Sequence, residues 1–104
     1  MNQIIFNEIR ALKRQLLPND RMILFGSQAR GDAREDSDWD LLVLLDKEER
    51  NYIEDYDNFG YPFSEIGWNY GVAINTILYT QKQWEKGKIF PLYRNVMREG
   101  IEIN

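Results

Sequence analysis

Apolar residues along the chain switch between two periods. At the start, Ile4, Ile5, Ile9, Leu12 and Leu16 recur at helical spacing. The pattern predicts a helix from residue 2 to about 17, with Lys13 and Arg14 outward. Pro18-Asn19-Asp20 ends it. Two continuous apolar runs follow, Met22 to Phe25 and Leu41 to Leu45. Bounded by turn residues, they read as buried strands: a short central one over Arg21–Phe25 and a second over Asp38–Leu45. Leu41 to Leu45 is apolar on both faces, as for a strand covered on both sides. A third strand alternates Val72, Ile74, Thr76, Leu78 against Ala73, Asn75, Ile77, Tyr79.

The other segments read as helices. Asp46-Lys47-Glu48-Glu49 places acids where a helix begins, and the helix runs through Tyr52, Ile53 and Tyr56. Asn58 to Pro62 breaks or kinks it. Phe63, Ile66 and Tyr70 resume helical spacing, and Gly71 stops it. Thr80 caps a short helix from Gln81 to about Lys86, with Trp84 inward. A last helix spans Phe90 to Glu99, with Pro91 in its first turn and Gly100 as its stop. Ile101-Glu102-Ile103 adds an edge strand. Tyr52, Tyr56, Phe59, Tyr61, Phe63, Trp68 and Tyr70 read as core, any exposed excess marking a partner-binding face. Arg94 and Arg98, four apart, form a solvated basic face. The expected fold is α/β: a small mixed, twisted sheet of three or four strands with packed helices, one domain over residues 1–104.

Composition narrows the function classes. With 43% hydrophobic and 13% aromatic residues, the chain is not a disordered one. No apolar run approaches the roughly 20 residues needed to span a bilayer. The N-terminus lacks the basic and apolar segments of a signal peptide. With no cysteine there is no disulfide framework, and a cytoplasmic protein is expected. A net charge of −4 without a basic block argues against general nucleic-acid binding. With no histidine, any chemistry rests on carboxylates, a metal and basic side chains.

The candidate chemistry lies between the first two strands. Gly26 permits a tight turn and close ligand approach. Ser27-Gln28-Ala29-Arg30 can form a short helical turn whose N–H groups, with the Ser27 hydroxyl, suit an anion; taken alone, Ser27 reads first as a helix cap, and Asp38 and Asp40 at their distance reverse that. Asp32, Glu35, Asp36, Asp38 and Asp40 then follow within nine residues. Asp32, Glu35 and Asp36 read as loop solubilisers, with Arg30 and Arg34 balancing their charge. Either Ser37 or Asp36 sets the turn into the strand. Asp38 and Asp40, at i and i+2, leave one face of the sheet while Trp39 leaves the other. Two adjacent carboxylates repel, and a hard cation such as Mg²⁺ between them relieves the repulsion.

Gly26-Ser27, a ten-residue gap from Gln28 to Ser37, then Asp38-Trp39-Asp40 resembles the signature of the nucleotidyltransferase superfamily related to DNA polymerase β. In size the chain resembles the minimal nucleotidyltransferases, which include antitoxins paired with HEPN-domain toxins. The resemblance implies that Gly26 and Ser27 hold a nucleoside triphosphate, with Arg30 on its oxygens. Asp38 and Asp40 would be the catalytic acids and the ligands of Mg²⁺ or Mn²⁺. The expected reaction is transfer of AMP from ATP to a hydroxyl, such as a tyrosine of a HEPN-type partner; an oligomer is compatible with this. Relatives usually carry a third carboxylate on the third strand. Asn75 stands at that position, and Glu65 is a distant substitute. An amide cannot act as a base and binds Mg²⁺ less strongly. The rival expectation is therefore a catalytically idle module that binds nucleotide and neutralises a partner by contact. An RNA-end polymerase fits poorly with the acidic balance, and an antibiotic-modifying enzyme fits poorly with the short chain.

Overall fold

The apolar runs pair into one sheet. The computed structural model describes residues 1–104. Its strands are β1 (Arg21–Phe25), β2 (Trp39–Leu45), β3 (Ile74–Thr80) and β4 (Ile101–Ile103), in the order β3-β2-β1-β4. β1 is antiparallel to β2 and β4, whereas β2 and β3 are parallel, so the sheet is mixed with β1 and β2 central. The helices are α1 (Gln3–Leu16), α2 (Ser27–Arg30), α3 (Tyr52–Asp55), α4 (Tyr61–Tyr70), α5 (Gln81–Lys86) and α6 (Pro91–Glu99). Asn2 caps α1, its side chain accepting from the N–H groups of Ile4 and Ile5. Thr80 and Gln83 form a reciprocal capping box on α5.

Strand alternation sorts the core into two layers. Leu24, Leu41, Val43, Ile74 and Leu78 join Ile5 and Ile9 of α1 and Phe63 and Ile66 of α4. On the other face Ile23, Leu42 and Leu44 meet Trp84 of α5 and Val96 of α6, with Phe25, Ile77 and Tyr79 partly buried beside them. Trp39 is buried in the first layer, so its neighbours Asp38 and Asp40 belong to the second face. α4 approaches β3 closely because residue 67 is glycine: a Cβ there would lie 2.4 Å from the Val72 carbonyl oxygen.

The structure corrects several expectations. Asp46 to Glu49 do not begin a helix; they form a bend, and α3 starts after Asn51, whose side chain accepts from the Glu54 N–H. An ionic cluster around the buried Asp55 explains the bend. Lys47 donates to Asp55 at 2.8 Å, Arg50 at 2.7 Å and the Asn51 N–H at 2.9 Å. Arg50 also donates to the Leu78 carbonyl, tying the bend to β3. Of the break or kink expected at Asn58 to Pro62, the break is absent: the helical path continues, with the α-helix interrupted. A π-helical turn, Tyr56–Gly60, joins α3 to α4, and its wide spacing puts Pro62 in the first turn of α4, where no N–H is needed. Ile4 faces solvent and Lys13 is buried, because the α1 stripe centres on Ile5 and Ile9. Of the aromatic series expected in the core, Phe63 is buried and Phe59 partly so; Tyr52, Tyr56, Tyr61, Trp68 and Tyr70 are exposed.

Asp55 is 1% exposed. Burial pushes its carboxyl up, but hydrogen bonds from Lys47, Arg50 and the Asn51 backbone outweigh it and hold it below the ordinary carboxylate value. A depressed carboxylate contributes stability that is full above its unfolded value and lost as pH falls through the folded one. Asp55→Ala leaves Arg50 buried without its partner and is expected to cost about 3–5 kcal/mol. Urea unfolding at neutral pH measures this. The variant should also lose part of the wild-type decline in stability below about pH 4.

Candidate active site

The site forms where β1 ends and β2 begins. Phe25 pairs with Asp40, and Asp40 pairs with Asn75, so these residues make one row across three strands. The chain leaves β1 at Phe25, which puts the following turn beside Asp40. Gly26 adopts φ 76°, and a Cβ at that position would sit 2.4 Å from Asp40 Oδ2. Only glycine combines that backbone conformation with so close an approach. α2 then begins at Ser27, and Gly31, at φ 83°, closes it. The N–H groups of Ser27, Gln28 and Ala29 open the helix without intrahelical acceptors. Gln28 is buried and donates to the Ser37 carbonyl at 3.2 Å; Ser37 Oγ in turn accepts from the Arg34 N–H at 2.8 Å. These two bonds fold the acidic loop back against α2 and deliver Asp38 to the start of β2. Ser37, and not Asp36, sets that turn.

Asp38 and Asp40 share a face, as their i, i+2 spacing predicts, and Asn75 meets them from β3. One nitrogen, Asn75 Nδ2, donates to Asp38 Oδ2 at 3.2 Å and to Asp40 Oδ1 at 3.3 Å. The two carboxylates therefore converge on a single point. The amide hydrogens there reduce a repulsion that two bare anions would suffer in full. No group of three or more histidine, cysteine or acidic side chains is arranged to hold a metal. Glu65 belongs to α4, on the opposite layer, and takes no part. The available donors are two carboxylates and one amide, all oxygen-bearing, a set that suits Mg²⁺ completed by water and phosphate oxygens. None of the surface clefts is lined by Asp38, Asp40 or Ser27. The acids stand on an open rim.

Arg30 lies near the turn, but two carboxylates engage it: Glu99 accepts from Nη1 at 3.2 Å and Asp32 from Nε at 3.3 Å. Glu99 first, then Asp32, hold the guanidinium pKa above its ordinary value. Glu99 was not among the residues singled out by motif. It sits at the end of α6, its side chain 10% exposed, and also accepts from the Gly26 N–H at 3.1 Å. An internal carboxylate thus occupies donors on the same turn that resembles a phosphate seat. Local sequence gave one weak signal for it: an acid at the last position of a helix, against the dipole. Arg94 and Arg98 are exposed, and Arg98 donates to Asn95 on its own helix.

Residues 7–101 match the family described as nucleotidyltransferase domain. A protein of Methanocaldococcus jannaschii named "Putative protein adenylyltransferase MJ0604" is 36% identical over 80 residues, spanning 77% of this chain and 73% of the relative. MJ0141 of the same organism carries the same descriptive name; it is 38% identical over 60 residues, which are 58% of this chain and 59% of its own length. Among solved structures, a toxin-antitoxin crystallised with AMP-PNP superposes with a TM-score of 0.61 at 17% identity, covering 95% of this chain and 72% of that one. The MntA-HepT toxin-antitoxin gives 0.56 at 16% identity, covering 99% and 72%. At those identities the structures show a shared fold. The matched span and the 36% identical relative show that the chain belongs to the nucleotidyltransferase domain family.

Proposed function

We propose that the chain transfers AMP from ATP to a hydroxyl on a partner protein of HEPN-toxin type. One observation carries this reading: Asp38 and Asp40 converge on the same Asn75 nitrogen, immediately beside the Gly26 turn. The names of the M. jannaschii relatives support protein adenylylation. AMP-PNP in one structural neighbour supports a nucleotide, and the toxin-antitoxin neighbours support a partner. The open rim agrees with a partner that supplies the missing wall of the site.

In this mechanism Glu99 releases the Gly26 N–H and, with Asp32, the Arg30 guanidinium, so that the backbone N–H groups of Gly26 and Ser27 and the Arg30 side chain meet triphosphate oxygens. Asp38 and Asp40 would hold Mg²⁺ or Mn²⁺, and Asn75, with its amide turned over, would offer a neutral oxygen. The bound ion supplies charge stabilisation at the attacking and leaving oxygens. The acceptor oxygen bonds to the α-phosphorus, the α–β bridge breaks, and pyrophosphate leaves. The acceptor proton leaves to water at the open rim, because both carboxylates of the pair are the ones that would hold the ion.

Asn75 and Glu99 also favour a second reading, a nucleotide-binding module without transfer. The first leaves only two acids on the row, and the second places an anion on the phosphate seat.

Incubation with labelled ATP, Mg²⁺ and a HEPN-type partner separates the two. Transfer that drops about a hundredfold or more in Asp38→Asn and in Asp40→Asn establishes the enzyme; ATP binding without transfer establishes the module. Asn75→Asp adds the absent third acid. Its melting temperature should fall in EDTA and recover with Mg²⁺, and half-maximal transfer should need several-fold less metal. Glu99→Gln removes a negative charge from the seat. Its dissociation constant for Mg-ATP, measured by calorimetry, should fall about tenfold. A rise instead would mean that Glu99 braces the turn and does not compete with phosphate.

A further inference from the structure

The surface of α3, the π turn and α4 has a pattern that the nucleotide chemistry does not use. Ile53, Asp57, Tyr61, Glu65 and Trp68 follow one another at single-turn spacing along it, apolar and acidic in alternation. Ile53 is 79% and Trp68 61% exposed, and Tyr61 stacks edge-on against Trp68 with ring centroids 5.4 Å apart. The pair is therefore a preformed platform. The stripe is about 22 Å long at 1.5 Å per residue.

Its charge is one-sided. No lysine or arginine occurs from Asn51 to Gln81, whereas Glu54, Asp57 and Glu65 are exposed there. None of the ion pairs in the structure uses Asp57 or Glu65. The cations that flank this span in the sequence are already committed: Lys47 and Arg50 to Asp55, with Arg50 also lying over the Tyr52 ring, and Lys82 to Glu48. Exposed aromatic faces and unpaired carboxylates at helical spacing attract the same ligand. Guanidinium groups satisfy both, stacking on the rings and pairing with the acids.

We propose that this face docks a basic amphipathic helix of a partner protein, arginines spaced by one turn lying over Tyr61 and Trp68 and against Asp57 and Glu65. A nucleic acid is disfavoured because its phosphates would meet those carboxylates. α4 ends at Tyr70, and β3 begins at Ile74, next to Asn75, on the sheet edge. The end of α4 near Trp68 thus lies, on the opposite layer, toward the end of the sheet where β3 begins beside Asn75. Docking itself requires no nucleotide, so it holds for an active transferase and for an idle module alike.

Trp39 and Trp84 are buried, so a contact at this face changes the emission of Trp68 alone. The probes are two helical peptides of about 15–18 residues, long enough to span the stripe: one with arginine and leucine at alternating turns, one with glutamate for each arginine. The arginine peptide should shift Trp68 emission to the blue, saturably, and bind more weakly as salt rises. Asp57→Lys with Glu65→Lys should weaken it about tenfold, with the melting temperature kept because both residues are exposed. Equal binding of the glutamate peptide, or no binding of either, overturns the proposal. So does a Trp68 response to single-stranded RNA that matches the arginine peptide. A dimer in sedimentation that Trp68→Ala dissolves would also overturn it, making the occupant a second copy. Asp38→Asn should bind the peptide as the wild type does, which keeps failure of docking distinct from failure of transfer.

Discussion

Two carboxylates held side by side set the terms for this molecule. Asp38 and Asp40 leave the same face of β2 because strand residues two apart must do so, and each remains within reach of the same amide. Such a pair is a local cost in free protein, since like charges a few ångströms apart repel even at high effective dielectric. The surrounding chain limits the cost in three ways. Asn75 donates to both acids from the neighbouring parallel strand. Glycine at position 26 leaves room for the Asp40 carboxylate where any side chain would collide. The rim position keeps Asp38 in water.

The sheet explains why the pair sits at an end and not in the middle. Each face of the sheet is covered by helices, but α5 and α6 reach only part of the second face. Leu42, Leu44, Ile23 and Tyr79 lie under Trp84, Val96 and Tyr93, while Asp40 and Asn75 fall one residue pair beyond the covered zone. The same strand is thus core over five residues and polar where it begins. Its burial pattern follows the sequence directly: Leu41 to Leu45 buried throughout, Asp40 intermediate, Asp38 exposed. The core stops short of the acids, and β2 makes that change within two residues.

Where local rules dominate, the sequence was a good guide. Apolar runs located β1 and β2, Thr80 and Gly71 marked helix ends, and the Gly26-Ser27 to Asp38-Trp39-Asp40 spacing picked out Gly26 and Asp40, which lie against each other, with Asp38 beside them. The third-strand reading put Asn75 opposite the acids, and the register Asp40 to Asn75 agrees. The misreadings share a cause: a tertiary contact overrode a local preference. Asp46 to Glu49 have helix-starting chemistry, yet Lys47 and Arg50 turn back to Asp55 and the bend wins. Pro62 signals a break, yet a π turn absorbs it. The aromatic residues of α3 and α4 read as core because aromatics usually bury area, but only one side of those helices has a sheet to cover. Glu99 lay beyond reach of motif reasoning, since its partners are 69 and 73 residues away.

Glu99 and the bare helix face together point to a charge logic that runs through the whole chain. The protein carries four more acids than bases, and its acids are of two kinds. Asp55 and Glu99 are answered from within, by Lys47, Arg50, Arg30 and backbone N–H groups, and these contacts fix loops and the end of α6 in place. Asp57 and Glu65, by contrast, have no internal cation, and Asp38 and Asp40 share a neutral amide where a cation would serve better. Unanswered carboxylates on a rigid frame favour anything positively charged that fits their spacing: a divalent ion where two converge on a point, an arginine-bearing helix where they are spread one turn apart among aromatic rings. The geometry of each acidic set, and not its charge alone, thus selects which cation it can take.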